Sequence, residues 1–177
     1  MHPQSKRLLI AAFCALLALP SDAGASDHEV PRVVLHAPRG QKLVGALGKH
    51  NWYRQSPTDP SRCEGDYAPD APFVSARPPL EVRRGARLTV RLHKEDEPAS
   101  MEVKGPSGPL PFTLRPYAPD GQVVAWDAKF KAPASGRRYA IGVTGSWPHE
   151  DCTFPDAGAP PPTQYAEWGF SVRKRRS

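Results

Sequence analysis

Ala86-Arg87-Leu88-Thr89-Val90-Arg91-Leu92-His93 alternates strictly between apolar and polar or charged residues. Ala86, Leu88, Val90 and Leu92 fall on one side of an extended chain, and Arg87, Thr89, Arg91 and His93 fall on the other. Successive side chains of a strand point to opposite faces, so this period of two predicts a strand with one packed face and one wet face. Gly85 supplies the turn before it, after Leu80-Glu81-Val82.

Working outward, the same logic marks strands over 33–37, 42–47, 101–103, 112–117, 123–130, 139–144 and 165–172. Val124, Trp126, Ala128 and Phe130 share a face opposite Asp127 and Lys129, and Trp168, Phe170 and Val172 share another. Pro38-Arg39-Gly40, Pro119-Asp120-Gly121 and Ala134-Ser135-Gly136 are turn chemistry. No segment keeps a 3.6-residue period, so helix is expected to be scarce. Short strands punctuated every eight to twelve residues predict an all-β protein. Two longer irregular segments are expected, over 55–72 and 148–163.

With 177 residues, 39% of them hydrophobic, the chain suits one domain with a sizeable core, while 22 prolines and 14 glycines fit frequent turns. Lys6 and Arg7 precede twelve largely apolar residues, Leu8 to Leu19, followed by Pro20 and Ala23-Gly24-Ala25. These are the three parts of a secretory signal peptide. Twelve helical residues cover about 18 Å against a hydrocarbon core of about 30 Å, which argues against a membrane anchor. The expected layout is a signal peptide over 1–25, a flexible lead-in over 26–30, the domain over 31–173 and a basic tail over 174–177. Cys14 leaves with the leader.

After cleavage the 24 basic and 18 acidic residues fall by two and one, to 22 and 17, a net charge of about +5. Much of the surplus sits in Arg173-Lys174-Arg175-Arg176. No basic stripe interleaved with aromatics appears elsewhere, so nucleic acid is not an expected partner. Cys63 and Cys152 remain, an even pair in an exported chain with no CxxC or Cys/His zinc spacing, and a disulfide between them is expected. Closing a loop of roughly 90 residues stabilises a domain by about 4 kcal/mol in the chain-entropy account.

The order of landmarks resembles a known family. Gly45-Ala46-Leu47-Gly48 followed by Trp52, then Cys63-Glu64-Gly65-Asp66-Tyr67-Ala68, is similar to the GxxGSYxW and CxDY pattern of small exported bacterial proteins. Arg77-Pro78-Pro79-Leu80, the Gly-led alternating strand, Tyr139 with Trp147, and the aromatic strand from Tyr165 to Val172 follow in the same order. The resemblance implies an immunoglobulin-like sandwich without an assigned activity. The chain departs from the pattern at Lys49-His50-Asn51, where the family carries small or aromatic residues and often cysteine.

The common catalytic signatures are missing: no G-x-S-x-G, H-E-x-x-H, G-x-x-x-x-G-K or G-x-G-x-x-G occurs. His28, His36, His50, His93 and His149 are scattered without ligand spacing. Glu64, Asp66 and Asp70 in one irregular segment and Glu150 and Asp151 in the other are candidate oxygen ligands for calcium, though their spacing matches no calcium loop. Trp52, Tyr53, Tyr67, Trp147 and Phe154 would gather at the bridged end, either as a binding surface or as a small satellite core. A mature chain starting Ser26-Asp27-His28 places histidine third from a free amine, a nitrogen set that suits Cu(II) or Ni(II).

The reading is an exported, non-enzymatic, immunoglobulin-like antiparallel β-sandwich of about seven to nine strands, without a cofactor. Two functions stand open: a binding module at the cell envelope, meeting a glycan or protein through the bridged loop end, or a passive structural accessory of the cell surface. Metal binding is a third.

Overall fold

The computed structural model describes residues 30–175, other than 57, 69, 135 and 149–162; of 54, 55, 64, 66 and 67 it describes the backbone alone. The described residues form an all-β sandwich of two sheets, with a single 3-10 turn at Pro38–Gly40. Twelve strands run in chain order: β1 (Arg32–His36), β2 (Lys42–Val44), β3 (Ala46–Gln55), β4 (Cys63–Ala68), β5 (Ala76–Val82), β6 (Arg87–His93), β7 (Ser100–Gly105), β8 (Gly108–Pro109), β9 (Phe112–Tyr117), β10 (Ala125–Lys131), β11 (Arg138–Trp147) and β12 (Gln164–Lys174).

One sheet has the order β2-β1-β6-β10-β9 and the other β4-β3-β12-β11-β7-β8, with β5 added alongside β12. Set aside β2 to β5 and β8, and the remaining order is β1-β6-β10-β9 facing β7-β11-β12. These are the A-B-E-D and C-F-G sheets of the immunoglobulin sandwich. β2 to β5 sit between its first and second strands, and β8 between its third and fourth. β12 serves both: its first half, Tyr165 to Gly169, pairs antiparallel with β3, and its second half, Phe170 to Lys174, pairs parallel with β5.

The alternating stretch around Val90 is β6, and it behaves as its pattern demands. Leu88, Val90 and Leu92 are wholly buried, while Arg87, Thr89, Arg91 and His93 face outward. Across the sandwich they meet Val103, Ile141, Val143, Phe170 and Val172, also in the core. At about 25 cal/mol per Å² of apolar surface removed from water, these side chains supply most of the driving force for folding.

Several expectations need correction. The strand expected over 42–47 is divided at Gly45, where a Cβ would lie 2.8 Å from the Phe170 ring. The segment expected to be irregular over 55–72 contains β4, paired with β3 from Gln55↔Cys63 to His50↔Ala68. Val124, expected on a packed face, lies outside β10 and is exposed. Asp127, expected to be wet, is buried. The sandwich also takes in half of the expected basic tail: Lys174 ends β12, and the Arg175 amide donates to the Val82 carbonyl. Arg173 and Arg175 both pair with Glu81.

Residues 71–75 cross the outside of the larger sheet as a strap without strand pairing. Space for it is made by glycine: a Cβ on Gly169 would strike the Val74 carbonyl and the Phe73 ring, and one on Gly142 would lie 3.3 Å from that ring. The strap leaves Phe73 44% and Val74 46% exposed.

Candidate functional site

Of the aromatic rings expected to form a contact surface, the two tryptophans are interior. Trp52 and Trp147 are 2% and 1% exposed and meet edge-to-face at 5.4 Å, with Trp168 edge-on to Trp147 at 6.4 Å. The Trp147 ring fits because it leans over Gly145, where a Cβ would sit 2.6 Å from it, and its Nε1 donates to the Asp96 carbonyl at 3.1 Å. Lys94 lies 5.8 Å from the Trp52 ring and pairs with Asp96, closing the cluster from solvent. Neither indole can serve as a contact surface, because stacking on its neighbours is what buries it. Both belong to the main hydrophobic core, with Leu92, Val103 and Val143, and not to a separate satellite core.

Tyr53 is half-buried; its ring lies over Gly65 on the facing strand, and its carbonyl accepts from Gln164 Nε2 at 2.8 Å. Cys63 is buried at the start of β4. Cys152, Phe154, Glu150, Asp151 and the Ser26-Asp27-His28 set lie outside the described residues, as do the side chains of Tyr67, Glu64 and Asp66. Asp70 is exposed. Among the described residues no three His, Cys, Asp or Glu side chains gather as a metal would need. Among them, too, no helix is long and apolar enough to cross a membrane.

The arrangement that stands out is on the outside of the five-stranded sheet. Its strands carry Arg32, Lys42, Arg87, Arg91, Arg115, Lys129 and Lys131 against one acid, Asp127, a balance of 7 − 1 = +6. The strands of the larger sheet carry seven basic and five acidic residues, a balance of +2. The register explains how scattered residues meet. Arg87 stands directly opposite Lys131; Thr89, Lys129 and Thr113 form the next row; Arg91, Asp127 and Arg115 form the third.

Asp127 is already committed. Arg91 donates to it through two nitrogens, at 2.7 and 3.0 Å, and lays its guanidinium 3.3 Å over the Tyr117 ring. The hydrogen bond to Asp127 raises the Arg91 pKa further above its ordinary value. Beside this group, His36 is held below the usual histidine range, by burial first and by the Arg91 charge second. Arg87, Arg115, Lys129 and Lys131 are exposed and make no ion pair with the described residues. With Thr89 and Thr113 they line an open groove of about 680 Å³.

Such a face offers fixed positive charge and hydroxyl donors, a chemistry suited to holding anions. No run of basic residues announces it, because its members come from β6, β9 and β10; the signal was that outward positions of separate strands repeat Lys, Arg and Thr. Compared with known proteins, the chain matches no protein-family model, no curated protein and no solved structure.

Proposed function

We propose that this chain is an exported, non-catalytic binding module of the cell envelope, and that its contact surface is the cationic outer face of the five-stranded sheet. One observation carries the reading: four neighbouring cations, Arg87, Arg115, Lys129 and Lys131, share a face on which the one acid is held by Arg91. Like charges directly opposite one another in a sheet are destabilising, and a bound anion relieves them. The partner is therefore an anionic component of the envelope. Export rests on the residues from Lys6 to Ala25, and the disulfide between Cys63 and Cys152 is part of the same proposal. So is kinship with the small exported immunoglobulin-like proteins that the sequence resembles.

Binding isotherms of the purified mature domain against a panel of envelope glycans and anionic polymers test the proposal. It expects saturable binding to charged members that salt releases. The alternative of a passive surface accessory expects none. N-terminal sequencing and intact mass with and without reductant test export and the bridge: a start at Ser26 and no alkylatable thiol in the native protein are expected.

A further inference from the structure

We infer that the groove takes a linear phosphate chain with several negative groups in series, and not a single small anion; this rests on the binding reading above. The cations are not gathered around one point. They run diagonally across three strands: Arg87 on β6, Lys131 opposite it on β10, Lys129 two residues back along β10, and Arg115 a further row on, across β9. Strands lie about 4.8 Å apart and two residues advance about 6.8 Å along one, so the ends of this track are roughly 17 Å apart at the backbone. A tetrahedral anion satisfies one or two of these heads and leaves the rest facing one another. A chain carrying a charge on each repeat reaches all of them.

The two arginines at the ends offer planar forks that match phosphate oxygens, the two lysines between them act as point charges, and Thr89 and Thr113 place hydroxyl donors on either side of Lys129. A base-bearing strand would require exposed rings to stack on, and the rings beside the groove do not provide them: Phe130 is buried in the core and Phe112 packs against it. The face therefore reads the backbone charge of a phosphate polymer.

The test uses the full mature domain with short-chain inorganic polyphosphate, followed by calorimetry at low salt. Saturable binding is expected, falling roughly 50-fold between 50 and 200 mM salt if four charges are neutralised. Lys129→Glu and Lys131→Glu should each lower affinity at least tenfold, whereas Lys49→Glu, an exposed cation on the other sheet, should leave it unchanged. Reversing an exposed like-charge contact should not lower the unfolding midpoint, and a midpoint measured for each variant separates lost binding from lost fold. If orthophosphate at equal phosphate concentration displaces the chain, the site is a single-anion site: the chain inference fails and the binding face survives. A single-stranded oligonucleotide that binds more tightly than polyphosphate overturns the inference in favour of nucleic acid. If no anion binds at low salt, both the inference and the proposed function fall.

Discussion

The backbone carbonyl of Val74 occupies the space that a Cβ on Gly169 would need. Gly169 lies in β12 at the point where its partner changes from β3 to β5, and Phe73 of the same strap covers it. Gly169→Ala therefore has to push the strap off the sheet. The expected cost is about 1–3 kcal/mol, as for other overpacked sites. A lower urea midpoint together with faster proteolysis near Phe73 is the expected result; an unchanged midpoint would show that the strap is not seated there.

Trp147→Ala should cost about 3–5 kcal/mol, because it opens a cavity between Trp52 and Trp168 and leaves the Asp96 carbonyl without its donor. The measurement is equilibrium unfolding, with tryptophan emission as a second readout. Emission from the three buried tryptophans should be blue-shifted and poorly quenched by iodide. Because Trp126 is only half-buried, the quenching is read in a Trp126→Phe background, where strong quenching would return these rings to the surface.

Tyr139 carries a buried hydroxyl without a partner among the described residues, and burial pushes its pKa up to about 12 from 10.0. The folded state holds this proton more tightly than the unfolded state does, so stability is lost as pH rises from about 10 to 12 and is untouched at neutrality. Tyr139→Phe should be neutral or slightly stabilising at pH 7, since it removes an unsatisfied polar group, and should flatten the alkaline fall. Unfolding midpoints at pH 7, 10 and 11 decide it.

His36 shifts the other way. Its folded pKa lies below the ordinary 6.5 through burial, Arg91 and Lys42, with Asp127 opposing them. The unfolded chain then binds the proton more readily, so stability falls as pH drops through 6.5 toward the folded value. His36→Gln cannot take up that proton. Its midpoint should change less than the wild type's between pH 7.5 and 5.5; parallel curves for the two proteins would remove His36 as the cause.

The parts of the fold legible in the sequence were those with one dry and one wet face. β6 announces itself because Leu88, Val90 and Leu92 alternate with charge, and β9 falls on the expected residues. β4 was hidden for a physical reason. Cys63-Glu64-Gly65-Asp66-Tyr67-Ala68 holds residues that strands usually avoid, yet β4 is an edge strand with only β3 beside it, where polar side chains cost little. Trp52 and Trp147 read as loop-end rings because the strands run longer than expected: once β3 runs on to Gln55 and β11 to Trp147, both are strand residues aimed at the core. The cationic groove needed the register, since nothing in the chain order tells that Lys131 faces Arg87 or that Thr113 and Thr89 flank Lys129.

Counted over the strands, the charge of the two sheets is unequal, +6 against +2, so positive charge within the strands is concentrated on the five-stranded side. A dipole near a negatively charged layer experiences a torque before it makes contact, and it arrives already turned. On the proposed binding reading, the five-stranded sheet would turn toward such a layer, and the opposite side, with the strap and its exposed Phe73 and Val74, would look away from it.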